Sequence, residues 1–177
     1  MRAALLLCAG ALALSGCGLR PLYAGGAGGT VQSMLATVQV APIEGQSGWL
    51  VSNALRDRLS AGEDAAARYR LEVQLDDSIA GLGVRSDDSV ARERRTLRAR
   101  YQLVDLASGA VVLDATAGSD AGIDVVGSEY ATIAGEKSAL ERLSGIVADQ
   151  IVARVARYAQ SGAGAPVPAA APAPAAR

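Results

Sequence analysis

The stretch SVARERRTLRARYQLVDL, residues 89–106, decides the fold. In its second half Leu97, Ala99, Tyr101 and Leu103 alternate with polar neighbours. A period of two predicts one long β-strand with those four side chains facing inward. ASG (107–109) reads as a turn, and AVVLDATAGSD (110–120) as the returning strand. Upstream, RYRLEVQLDDSI (68–79) alternates as cleanly. Tyr69, Leu71, Val73 and Leu75 share one face, and Arg70, Glu72 and Gln74 the other. Three consecutive strands joined by hairpins predict antiparallel pairing.

Working outward, MLATVQVAPI (34–43) is apolar, β-prone and closed by Pro42, which predicts another strand. SGWLVSNALRDRLSAG (47–62) predicts a helix: Ser47 as its cap, Leu55 and Leu59 four apart, Gly62 at its end. From Ser128 a helical pattern runs about 28 residues. Ile133, Leu140, Leu143, Val147, Ile151, Val155 and Tyr158 form one apolar stripe, with Glu136, Lys137, Glu141 and Arg142 largely opposite. The order is strand, helix, strand, strand, strand, helix. Two helices with one stripe each cover one face of a four-stranded sheet. The expected fold class is therefore α+β: a two-layer sandwich of about four mostly antiparallel strands with two helices on one face. The other sheet face is polar, as an antiparallel sheet tolerates.

The ends differ from this body. MRAALLLCAGALALSG (1–16) has a positive n-region at Arg2, a short apolar run and small residues before Cys17. It is too short to span a bilayer and reads as a secretory signal peptide. Leu14-Ser15-Gly16-Cys17 resembles the lipobox of bacterial lipoproteins, which implies cleavage before Cys17 and an N-acyl and diacylglycerol lipid on its thiol. Gly18, rather than Asp, follows the cysteine, and by analogy with lipoprotein sorting this favours the outer membrane. AGGAGGT (24–30) completes a Gly-rich tether over 17–30. SGAGAPVPAAAPAPAAR (161–177) holds four of the six prolines and reads as a disordered Pro/Ala tail. A single globular domain over 31–160 remains.

Composition excludes several chemistries. There is no His, which removes His-based triads, histidine bases and most zinc or iron sites. Cys8 leaves with the signal and Cys17 is lipidated, so the mature chain rests on its core without a disulfide. Removing Arg2 from 17 basic residues leaves 16 against 18 acidic, a formal charge of −2 that predicts no nucleic-acid partner. With no Phe, the core must be Ala, Val, Leu and Ile with Trp49 and five Tyr.

Three pieces carry a likeness in the right order: GCGLRPLY (16–23), DDSVARERRTLRARYQLVDLASGAVV (87–112) and SEYATIAGEKSALERLSGIVADQIVARV (128–155). They resemble the LPS-assembly lipoprotein LptE family of alphaproteobacteria. The resemblance implies a small sheet packed by two helices and a structural, non-enzymatic role. It implies a plug and assembly partner of the outer-membrane β-barrel LptD that is able to bind lipopolysaccharide. It implies localisation at the cell outer membrane, on the periplasmic side, through the lipid on Cys17, with no further cofactor.

The sharpest charge feature is an arginine stripe. Arg92, Arg94, Arg98 and Arg100 sit at even positions around Thr96 and share one strand face, about 6.6 Å per step. Guanidinium groups in a row suit phosphates and carboxylates. The four are candidate contacts for lipid A phosphates or for acidic groups of the barrel lumen. The competing reading is a solvated face neutralised by Glu72 and Glu93. GLGVRS (81–86) reads as a hairpin loop rather than a dinucleotide loop, because Ser86 replaces the third glycine. Asp76-Asp77 and Asp87-Asp88 flank it as polar loop residues, and DAGID (120–124) reads as a turn. Trp49 is either a partner anchor or core. IVADQIVARVARY resembles an interfacial membrane helix, but packing on the sheet explains the same stripe. No catalytic or metal site is expected. An auxiliary lipoprotein of an ABC-type lipid transporter and a secretin pilotin share the signal and anchor. A periplasmic hydrolase lacks a nucleophile elbow here.

Overall fold

The alternating stretches form three long strands. In the computed structural model, which describes residues 29–59, 66–84, 90–125 and 127–161, β2 (Tyr69–Val84) pairs antiparallel with β3 (Val90–Asp105). Their register runs from Tyr69 opposite Asp105 to Val84 opposite Val90. β3 in turn pairs antiparallel with β4 (Val111–Asp124), with a register shift at Leu103 and Val104. Between them, the Asp105 carboxylate accepts the N–H groups of Ala107 and Ser108 at 2.8 and 3.2 Å, which holds the turn. A short β1 (Val38–Val40) adds in parallel to β2, Val38 opposite Tyr69, giving the order β1-β2-β3-β4.

Three helices complete the described residues: α1 (Thr30–Leu35), α2 (Gly45–Leu59) and α3 (Glu129–Gln160). α3 begins at Ser128, whose hydroxyl accepts the Ala131 N–H at 3.4 Å. Its stripe is buried as its period requires: Leu140, Leu143, Val147, Ile151 and Val155 are each at most 1% exposed. They meet Tyr69, Leu71, Leu97, Ala99, Tyr101 and Leu103 from the sheet and Val51, Leu55 and Leu59 from α2 in one core. Burying each of these large side chains is worth about 2 kcal/mol. The fold is thus the α+β arrangement expected, with an open four-stranded sheet whose even-numbered residues from 70 to 80 in β2, 92 to 102 in β3 and 114 to 124 in β4 are turned away from the core.

Several local expectations are corrected. Residues 34–43 are not one strand. Val31, Met34 and Leu35 are all buried at helical spacing, so the segment opens with α1 and only 38–40 are extended. α2 starts at Gly45, whose φ of 81° turns the chain into the helix; Ser47 lies inside the first turn and is not the cap. β2 continues through 81–84, so GLGVRS is strand for most of its length, and Asp76 and Asp77 sit within the sheet. DAGID is the end of β4. Ile133 is 55% exposed and leaves the core. The signal peptide, Cys17, the tether through residue 28, Gly62, Asp87, Asp88 and the tail from 162 onward lie outside the described residues.

Candidate functional site

The polar sheet face follows from the register. Arg92, Arg94, Arg98 and Arg100 are all exposed on it, as the spacing predicted. The outer two are paired. Arg92 lies opposite Asp124, and its Nη2 is 2.8 Å from the carboxylate. Arg100 Nη2 donates to Asp114 at 3.1 Å, and Gln102 donates to the same oxygen at 2.8 Å. These hydrogen bonds, from Arg100 first and Gln102 second, hold the Asp114 carboxyl below its ordinary range. Such exposed pairs contribute little to stability; they fix where the ends of the stripe point.

The middle two arginines differ. Arg94 stands between Ala80 and Gly122, and Arg98 between Asp76 and Gly118. Neither forms an ion pair among the described residues. An added Cβ on Gly118 would lie 2.6 Å from Arg98 Cδ, so the arginine stem occupies the space that a side chain there would take. Gly118 is gripped from the other side: its N–H donates to Gln150 Oε1 at 3.0 Å, and its carbonyl accepts from Gln150 Nε2 at 3.3 Å. An open depression of about 650 Å³ results, lined by Gln74, Asp76, Arg98, Arg100, Thr116 and Gly118. It offers guanidinium donors beside the Asp76 carboxylate and the Thr116 hydroxyl, and no group of three or more metal-ligating side chains occurs among the described residues.

The neutralising partners expected from the sequence are not the real ones. Glu72 accepts from Arg70 Nε at 2.7 Å instead. Glu93 is at an odd position on the helix-facing side, with Oε2 buried and without a hydrogen-bond partner among the described residues. Aspartates of β4 take the place of both. Cys17 lies outside the described residues. Trp49 is 63% exposed and so is not core. The apolar stripe of α3 is spent on the sheet, and no helix among the described residues is long and apolar enough to cross a membrane.

One charged group escaped sequence reasoning. Arg95 turns inward and grips Asp77 bidentately, at 2.9 Å through Nε and 2.7 Å through Nη2, while Nη1 donates to the Glu136 carbonyl at 3.0 Å. Both side chains are under 20% exposed. The hydrogen bond to Asp77 raises the guanidinium pKa further, against the opposing effect of burial. The clamp joins β2, β3 and α3.

A family model described as lipopolysaccharide-assembly, LptE, matches residues 35–155. Among solved structures, the chain is similar to a protein from Caulobacter crescentus described as a lipoprotein, at 25% identity and a TM-score of 0.63, over 75% of this chain and 97% of that one. It shares its fold with rare lipoprotein B from Shewanella oneidensis, at 15% identity and 0.52, over 71% of this chain and 96% of that one. A minor lipoprotein from Acinetobacter baumannii gives 13% and 0.52, over 70% and 94%. No curated protein sequence matches the chain.

Proposed function

The chain belongs to the LptE family of lipopolysaccharide assembly, and from that premise we propose that it is an outer-membrane lipoprotein serving as plug and assembly partner of an LptD-type β-barrel. The family is one of non-enzymatic lipoproteins. In this reading Cys17 carries the N-acyl and diacylglycerol lipid, which holds the domain at the membrane on the periplasmic side. The polar sheet face meets the polar lumen of the barrel. Arg94 and Arg98, flanked by Arg92 and Arg100, contact lipopolysaccharide phosphates or acidic lumen groups.

The observation that carries this reading is the pair of exposed arginines, Arg94 and Arg98, that have no ion pair among the described residues on the polar sheet face. A guanidinium already bound to a carboxylate must give that bond up to take a phosphate; Arg94 and Arg98 need not. The first test is recovery of the full-length lipoprotein from outer membranes in mild detergent. A large β-barrel at one-to-one stoichiometry is the expected result. Recovery of ABC transporter components without a barrel would transfer the chain to the auxiliary-lipoprotein reading. The second test is Arg94→Ser with Arg98→Ser: lipopolysaccharide binding is expected to weaken at least about tenfold, two charge-assisted contacts being lost. Unchanged binding by a normally folded variant removes the lipid part and leaves the barrel part standing.

A further inference from the structure

The two edges of the sheet are not treated alike. On β4, the Gln150 side chain binds both the N–H and the carbonyl of Gly118 in mid-strand, so a further strand cannot pair through that point. On β2 the edge is covered only at its start, because β1 pairs with Tyr69, Arg70 and Leu71 and no further. The Tyr69 N–H donates to the Thr37 carbonyl at 3.1 Å, and the Leu71 carbonyl accepts from the Ala41 N–H at 2.9 Å. Odd-numbered residues of β2 therefore aim their backbone groups away from β3. The register with β3 is unbroken from Tyr69 to Leu82, which carries this alternation on through Val73, Leu75, Asp77, Ile79 and Gly81. None of these five has a backbone partner on that side among the described residues.

The open stretch, 73–84, amounts to about 40 Å of strand edge. Native sheets guard such an edge with Lys, Pro, a bulge or an unpaired inward charge. This one has no Lys, no Pro and no bulge up to Leu82. Its inward charge, Asp77, is already neutralised by Arg95. Residues 78–84, SIAGLGV, carry no charge at all. Ile79 is on the core side of the strand by parity, yet 43% exposed. An edge of this kind is a template for another strand.

We propose that a second copy of the chain occupies this edge, β2 against β2 about a two-fold axis at Ile79. Two identical strands related in this way run antiparallel. The axis sets odd residues opposite odd, so outward backbone groups meet outward backbone groups: Asp77 faces Gly81, and Leu75 faces Gly83. On the polar face Asp76 lies across from Leu82. Charge selects this occupant. The acids fill one half of the stretch and uncharged residues the other, so antiparallel self-pairing sets no acid opposite an acid. The two Ile79 side chains cover each other on the core side. Pairing runs from Gln74 to Val84 and stops short of Leu71, which leaves each copy its own β1. Residues directly opposite share a face, so the two polar faces join on one side of an eight-stranded sheet and the helices on the other. The stripe arginines belong to β3 and take no part, so the pairing does not depend on the reading given to them.

The test uses the full-length protein in detergent, with micelles in excess over chains. Sedimentation equilibrium across a range of protein concentrations is expected to show a monomer–dimer equilibrium. Hydrogen exchange of the Leu75, Asp77, Ile79 and Gly81 N–H groups is expected to slow as the dimer forms, while their even-numbered neighbours, bonded to β3, are protected throughout. Ile79→Lys sets like charges at the axis on a side chain already exposed, and Ile79→Pro removes only an edge-facing N–H. Each is expected to raise the dimer dissociation constant at least about tenfold. A monomer at every concentration overturns the proposal. If its edge N–H groups are nonetheless protected, a segment of the same chain holds the edge instead. A dimer that both substitutions leave unweakened, or one whose edge N–H groups exchange as fast as in the monomer, also overturns it.

Discussion

Gly118 illustrates how much one methyl decides on the polar face. The atoms nearest its missing Cβ belong to the flexible stem of Arg98 at 2.6 and 2.7 Å, with the Leu97 carbonyl at 3.0 Å. Gly118→Ala therefore displaces the arginine before it disturbs the sheet. The expected cost in unfolding free energy is under about 1 kcal/mol, while the Arg98 Nε–Hε resonance shifts in a nitrogen–proton correlation spectrum; an unmoved resonance contradicts the contact. Arg95 behaves in the opposite way. Arg95→Gln strands the Asp77 carboxylate at low exposure, and a loss of about 3 kcal/mol is expected in urea unfolding. The outward arginines were legible in the sequence because a strand repeats every two residues. Arg95 was not, since it sits beside Arg94 in the same run of charge. Its partners Asp77 and Glu136 are 18 and 41 residues away, and no local pattern announces them.

At the scale of elements, α3 carries the core and shows where periodicity stops being informative. Ile151 and Ile133 belong to one helical stripe, yet Ile151 is fully buried and Ile133 is 55% exposed. Ile151→Ala is expected to cost about 2–5 kcal/mol and Ile133→Ala under about 0.5 kcal/mol, a contrast that paired thermal unfolding curves measure directly. Equal losses would mean that the first turns of α3 are packed after all. The long elements could be read because their repeats are long. α1 could not: six residues give barely one and a half turns, and the β-prone residues after it extended the strand pattern backward.

Across the whole molecule, one exposed tie connects distant parts of the chain. Arg58 near the end of α2 holds Asp149 of α3 across 91 residues, and this hydrogen bond, more than its charge, keeps the Asp149 carboxyl below its ordinary range. A carboxyl with a depressed folded-state pKa adds stability above about pH 4, and that contribution fades as pH falls through the depressed value. Asp149→Asn is therefore expected to lower stability at pH 7 by under about 1 kcal/mol. The gap to the unsubstituted protein should be narrower at pH 3 than at pH 7, as urea midpoints at the two pH values would report; an equal gap would mean the tie is not electrostatic. The parallel pairing of β1 has a further consequence, one of timing. β2, β3 and β4 follow one another through short connections and can zip as neighbours, whereas β1 must wait for residues 69–71 and α2 for α3, the last helix of the chain. Loop closure makes such distant pairings late. The two N-terminal helices are thus among the last parts to dock, because α1 and α2 lack their main packing partner until α3 is complete.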